Sequence, residues 1–474
     1  MSRVGIARNV LIACAVLLSA ELGRSVQDLA LASRMAGDPQ AVHWSGWSTA
    51  LSTVLAVAPL LLIARLSNYL RPSSFLTVAA GLSLTSTLGA LLPVSMAPTG
   101  LLYAGSDTAL ALATVASLIV IVQEVNAPRG VVIGLWAAMT PCAYGVMVAA
   151  ADVVPFDLWS LVICGVLVLT LLVFLASILG PSIEPVSTFE QFDLPGAALW
   201  MIGISGVIYF LAIRASSPSA MAAAGVGLVA LAGLMLWIRQ VHAQGFVPRA
   251  LISRRGLVVG FVGALALGIV IALSAMQSMS VDWIMANGGS TNTPLLALWI
   301  TAAAFAPVTG RLLDRGAGWV VPICGAIELI AGLVIFKALA QPATDLAQSR
   351  EMHSLWTLVP GLALFGAGLG TVTVWVLYVA FRGVSRSMLA TAAGLMVTAL
   401  YAGRVLGGFV EKVISGEAEG VGELVRTSAV PIVIAILGLG ALTVVPVITR
   451  RWEAQRAAQD LEDDLVDEQE TDRY

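Results

Sequence analysis

Three ionisable residues stand at helical spacing inside the first apolar run of the sequence: Glu21, Arg24 and Asp28, three and four positions apart. Those intervals put side chains on one helical face. An acid, a base and an acid along one stripe can neutralise one another as a fixed ion-pair network. Alternatively, Glu21 or Asp28 can exchange a proton when its surroundings alternate between wet and dry, because burial disfavours a carboxylate's charge and a nearby arginine favours it. A third reading has the stripe touch a bound small molecule. Asp107, Glu328 and Arg404 also interrupt apolar runs. A charge held in hydrocarbon costs about 3 kcal/mol or more, so each of these residues is expected to face a partner or a cavity.

Composition shows what kind of scaffold carries these residues. The chain has 474 residues, of which 58% are hydrophobic and only 11% charged, with a mean hydropathy of +0.93; soluble domains carry roughly 25% charged residues. A bilayer core needs about 20 apolar residues per helix, since unpaired backbone amides in lipid are costly. Scanning for such runs predicts fourteen spans near 9–31, 46–64, 73–93, 101–122, 130–150, 157–180, 194–213, 219–238, 256–278, 292–310, 318–339, 354–381, 388–411 and 428–449. The first run continues into ELGRSVQD without a small-residue cleavage site, so it is expected to be a retained span rather than a secretory leader.

Orientation has an independent signal, because basic residues gather in cytoplasmic loops. With the N-terminus inside, inner segments hold sixteen arginines, among them Arg65, Arg71, Arg129, Arg254, Arg255, Arg311, Arg315, Arg382 and Arg386, against Arg34, Arg214, Arg350, Lys412 and Arg426 outside. Both termini are therefore expected in the cytoplasm. Two lysines against twenty-three arginines, with abundant Ala, Gly and Val, point to a GC-rich bacterial genome and hence to the inner membrane. The segment from Trp452 to Tyr474 has nine acidic and two basic residues without apolar periodicity, and is expected to be a disordered tail open to a protein partner.

Depth links two of the charges. At about 1.5 Å per residue, Arg24 lies about 8 Å below the outer surface in span 1, and Asp107 about 9 Å below it in span 4. An Arg24 to Asp107 ion pair, extended by Asp28, is expected. The same rise puts Glu328 about 14 Å into span 11 and Arg404 about 24 Å into span 13, which argues against direct pairing of the two. Glu328 reads either as a buried acid hydrogen-bonded to a neighbouring span or as a cavity residue. Arg404 would pack beside its glycines or attract an anionic group.

Two loops echo each other: ARLSNYLRP (Ala64 to Pro72) after span 2 and GRLLDRGAG (Gly310 to Gly318) after span 10. The second resembles the G-x-L-x-D-R-x-G loop signature of the major facilitator superfamily, with Gly310, Arg311, Asp314 and Arg315 as its gating residues. Its physical sense is a tight turn permitted by glycine, with an acid and a base available to neighbouring helix ends. YAGRVLGGF (Tyr401 to Phe409) and FVPRALISRRGLVVGF resemble the fourteen-span drug:proton antiporter family within that superfamily.

The resemblance covers nearly the whole chain and implies an all-α major facilitator fold. It has an N-terminal six-helix bundle (1–180), a linker with two inserted helices (181–255) and a C-terminal bundle (256–451), followed by the tail (452–474). The first half departs from the family: Asn68 stands where the signature has Asp, Tyr69 where it has Arg, Ser106 or Asp107 where span 4 has Arg, and TPCAYGVMVAAAD lacks the GP-x-x-GG string.

The resemblance implies secondary active transport by alternating access, with small or amphipathic compounds exported against protons, as in multidrug efflux. Export of a lipid or cell-envelope precursor is the alternative. A non-transporting scaffold or sensor on this fold is the reading from another class. The expected partners are the substrate, protons and membrane lipids, without nucleic acid. The four cysteines form no CxxC pair, and His43, His242 and His353 no metal spacing. With no P-loop, nucleophile elbow or dinucleotide fingerprint, neither a cofactor nor enzymatic chemistry is expected.

Overall fold

The structure is a computed structural model and describes residues 3–35, 41–91, 96–124, 129–154, 158–179, 192–213, 217–240, 245–273, 293–318, 320–347 and 359–415. The expected span 428–449, the acidic tail, His242, His353 and most of the linker loop 181–193 lie outside the described residues, as does the side chain of His43.

Long apolar runs close their backbone hydrogen bonds internally, and the described residues are accordingly helical, without strands. In chain order the helices are α1 (Arg3–Met35), α2 (Ala41–Val57), α3 (Leu60–Leu66), α4 (Pro72–Leu91), α5 (Met96–Glu124), α6 (Arg129–Val153), α7 (Trp159–Ile178), α8 (Leu194–Ile213), α9 (Pro218–Gln240), the single turn α10 (Arg249–Ile252), α11 (Arg255–Leu273), α12 (Thr293–Asp314), α13 (Val320–Ala347), α14 (Val359–Phe381) and α15 (Arg386–Ser415). Among the described residues, twelve spans are long and apolar enough to cross a membrane, and Val320–Ile335 is a shorter apolar helix. The expected second span is divided: α2 stops at Val57 and α3 starts after Pro59, which has no backbone N–H to give to the preceding turn.

Helices α1, α2, α4, α5 and α7 pack among themselves, and so do α11, α12, α13, α14 and α15. Two seams join these sets. Along one, α6 lies against α12 and α14; along the other, α3 and α5 lie against α15. The inserted pair α8 and α9 pack on each other, and α8 also reaches α2 and α15. Trp200 of α8 donates to the Ala58 carbonyl (3.2 Å) and Phe210 meets Phe409 at 6.1 Å between ring centres.

One carboxylate ties the inserted pair together. Asp193 accepts from its own helix start at Gly196 N (2.9 Å), from Trp237 Nε1 at the end of α9 (3.1 Å), and from Phe246 N (2.7 Å). Phe246 and Leu251 are fully buried, so the stretch leading into α11 is anchored in the protein at these two residues while Arg249, Ala250 and Ile252 stay exposed. Arg65, Arg129, Arg239, Arg254, Arg311 and Arg386 all stand at or next to helix ends, the ends that alternating crossings of the chain would bring to one arginine-rich face.

Candidate functional site

The stripe Glu21, Arg24, Asp28 divides between two environments. Arg24 pairs with Asp28 one turn along α1 and with Asp107 of α5. It also donates to the Tyr103 hydroxyl, and its guanidinium lies over the Tyr103 ring at 4.2 Å. Tyr103 and Asp107 are one turn apart on α5, so both face α1 together. Glu21 points elsewhere: it is 4% exposed and accepts from Thr140 Oγ1 of α6 at 2.7 Å. The two ends of the stripe thus meet different partners, Asp107 and Tyr103 of α5 at one and Thr140 of α6 at the other.

The opposite side of α1 is polar as well. Gly23 lies against the hydroxyls of Ser83 and Thr87 on α4, where an added Cβ would approach each to 2.8 Å. Ser83 Oγ donates to the Ser19 carbonyl (3.3 Å) and Gln27 Nε2 to that of Ser86. These small residues give α1 a tight, hydrogen-bonded contact with α4, which fixes the direction in which Arg24 and Glu21 point.

Glu21 opens on a cavity between the two helix sets. Its wall includes Thr114, Trp136, Thr140 and Pro141 from the first set, and Trp299, Phe365, Tyr401 and Arg404 from the second. About 80 Å³ is open to the centres of water-sized molecules, enough for several waters when one needs about 10–15 Å³ by that measure. Glu21 and Arg404 are the charged residues of the wall. Both stand eighteen positions after the start of their helices, Arg3 and Arg386, or about 27 Å along each at the α-helical rise.

Arg404 takes its direction from its neighbours. Gly403 and Gly407 press on Leu265, Gly268 and Ile269 of α11, leaving the arginine to the cavity side. Its guanidinium lies 5.6 Å from the Tyr401 ring centre, and its Nε is buried without a hydrogen-bond partner among the described residues. Tyr401 in turn sits 3.4 Å from Thr114 Oγ1 across the α5 to α15 seam. Glu328 is not part of this wall. It accepts from Thr371 Oγ1 (3.4 Å), which itself accepts from Thr309 Oγ1 (3.3 Å), a hydrogen-bonded chain among α12, α13 and α14.

At the arginine-rich face the loop residues find different roles. Gly310 packs directly on the backbone of Gly130 at the start of α6. Asp314 then accepts from the free amides of Gly130 (2.9 Å) and Val131 (3.0 Å), capping α6 from the other helix set. Gly316, at φ 93°, closes α12: its amide bonds Leu313 O (3.0 Å) and the Ala317 amide bonds Leu312 O (3.1 Å), a Schellman turn. Arg311 and Arg315 are exposed. In the first-half echo, Arg65 Nη2 donates to Gly245 O (3.3 Å) and Tyr69 meets Phe192 edge-on at 5.6 Å. Asn68, in the place of Asp314, is buried with both amide atoms unpartnered among the described residues.

Thr140, Tyr401, Trp136, Trp299 and Tyr103 are site residues that charge spacing does not reveal. Tyr103 carried a usable signal, standing one turn before Asp107, and Thr140 stands beside a helix-interior proline.

No family model matches the sequence, and no curated protein matches it. Solved structures do. The chain is similar to the MFS (major facilitator superfamily) proton:xylose symporter XylE bound to 6-bromo-6-deoxy-D-glucose, with a TM-score of 0.61 and 14% identity over 93% of this chain and 96% of that one. It is similar to the human organic anion transporter MFSD10 (TETRAN), with a TM-score of 0.62 and 13% identity over 93% and 100%. XylE from E. coli in a partially occluded inward-open conformation aligns with a TM-score of 0.55 and 14% identity over 92% and 98%. At these identities the likeness establishes the fold: an all-helical, multi-pass major facilitator architecture.

Proposed function

We propose that this chain is a secondary transporter that works by alternating access in a bacterial inner membrane, exporting small or amphipathic compounds in exchange for protons. The observation that carries the reading is the cavity wall: one carboxylate from the first helix set and one guanidinium from the second, around a largely apolar space. A site shared between two sets is exposed to one side or the other when the sets rock. The Asp314 cap on α6 supplies a contact that can open and close at the arginine-rich face. The arginine bias supports placing that face in the cytoplasm, with both termini there. In the same reading, 1–180 and 256–451 are the moving bundles, 181–255 the inserted segment and 452–474 a tail open to a protein partner.

Glu21 is the proton carrier in this proposal. It faces the cavity, and the charges that act on it are Arg404 and Arg24, attractive, and Asp28, repulsive. Arg24 with Asp28 and Asp107 forms a structural brace behind it. The test is purified protein in proteoliposomes, with a compound identified by comparing export in a deletion strain and its parent. Glu21→Gln is expected to abolish substrate-coupled proton movement, and Asp28→Asn to weaken it. Unchanged coupled flux in both variants removes the coupling role. If the purified protein moves no compound and keeps a single conformation, the scaffold reading replaces transport.

A further inference from the structure

We infer that the cavity selects zwitterionic amphiphiles, compounds carrying an ammonium group and a carboxylate or similar anion on one compact aromatic or apolar body. The inference rests on the transport reading for its biological sense but not for its physics. Glu21 on α1 and Arg404 on α15 both line the cavity. They do not pair with each other within 4.0 Å. Opposite charges lining one space from two helix sets, and not in contact with each other, fit a ligand with the complementary charges in reverse order.

Each charge is also left open to a ligand. Thr140 reaches one oxygen of Glu21, and no other donor among the described residues reaches that carboxylate. Arg404 makes no hydrogen bond to a described residue, and its buried Nε lacks an acceptor. A buried donor without an acceptor is costly, and an anionic group on a ligand supplies one. The wall that the two charges share also includes Trp136, Trp299 and Phe365, apolar rings that favour an aromatic body. Trp299 is itself held by stacking on Tyr144, 4.6 Å between ring centres and 18° between planes, so its position is fixed before a ligand arrives.

A purely cationic amphiphile would satisfy Glu21 and leave Arg404 facing like charge. A purely anionic one would do the reverse. Discrimination then arises from the unpaired wall charge as much as from the contact made.

The test uses three probes with one body: L-tryptophan (zwitterion), tryptamine (cation) and indole-3-propionate (anion), each radiolabelled, in equilibrium binding to the full-length protein in nanodiscs. L-tryptophan is expected to bind at least about tenfold more tightly than either of the others, the discrimination set by one charged hydrogen bond. Arg404→Gln is expected to remove the advantage over tryptamine, and Glu21→Gln the advantage over indole-3-propionate. Arg404→Lys, which keeps the charge, is expected to retain part of the preference and so separates charge from folding. The inference is overturned if the wild-type protein prefers tryptamine or indole-3-propionate, binds all three alike or binds none. Spin-label distances across the ends of α6 and α12 separate this failure from that of the transport reading. Switching distances without a zwitterion preference remove the inference alone, whereas a zwitterion preference in a protein that never switches removes transport and leaves the site.

Discussion

Arg24 on α1 is paired with Asp107 on α5, eighty-three positions later, and the Tyr103 ring covers the guanidinium. The arginine serves two acids, because Asp28 meets it from its own helix. Replacing Arg24 by Met leaves two carboxylates facing each other in a partly buried site and is expected to cost about 2 kcal/mol of stability, less than for a fully buried pair. Asp107→Asn is expected to cost clearly less, since Asp28 still neutralises Arg24. Unfolding in a steric-trap or SDS titration measures both, and equal losses would contradict the shared-arginine arrangement.

Asp314 caps a helix that belongs to the other set. Asp314→Ala removes the acceptor for two first-turn amides, a loss of about 1 kcal/mol for a cap of this kind. The population open at the arginine-rich face is then expected to rise about fivefold, the equilibrium factor that corresponds to such a loss. Asp314→Asn keeps one of the two accepting oxygens and turns its NH2 toward the other amide, so it is expected to fall between wild type and Asp314→Ala. Distances between spin labels at the ends of α6 and α12 read both outcomes.

Gly310 and Gly130 touch backbone to backbone. Gly310→Ala adds a carbon where the Gly130 carbonyl already lies, so closure at this face is expected to be blocked and transport lost. The helix itself is expected to gain, Ala being favoured over Gly by about 1 kcal/mol in a helix interior. Thermal stability that holds while turnover falls at least about tenfold, a closure penalty of about 1.4 kcal/mol or more, is the signature of a steric block. Wild-type turnover would remove the role assigned to this contact.

Asp193 binds the start of α8, the end of α9 and the chain entering α11. Asp193→Ala frees two backbone amides and an indole N–H, and is expected to lower stability by about 2 kcal/mol. The Glu21 cavity does not include Asp193. Ligand binding per folded molecule is therefore expected to be unchanged, which a binding isotherm on the folded fraction checks.

Hydrophobic length made the helices legible, because it is a local property of the chain. The Arg24 to Asp107 contact was also within reach, as each depth is measured from the end of its own span. The meeting of Glu21 and Arg404 on one cavity was not. It depends on α15 reaching the first helix set, and within its own half Arg404 offered only Glu328 as a companion, which is hydrogen-bonded elsewhere. The Asp314 cap was hidden for another reason: its partners are the amides of Gly130 and Val131, and backbone groups leave no trace in residue type. The α1 to α4 contact was hidden as well, since Ser19, Gly23, Ser83 and Thr87 read as ordinary small residues of membrane helices.

The seam between α6 and α12 is lined on one side by Gly130, Gly134 and Gly145, which face Gly310, the Ala306 to Pro307 backbone and Trp299 in turn. At the first two positions main chain rests on main chain, without interlocking knobs of the kind that fix the register of soluble helix pairs. Such a surface behaves as a bearing. It keeps a large area in van der Waals contact while one helix turns or slides past the other, so the friction of the movement falls on the polar contacts at its ends rather than on the seam itself.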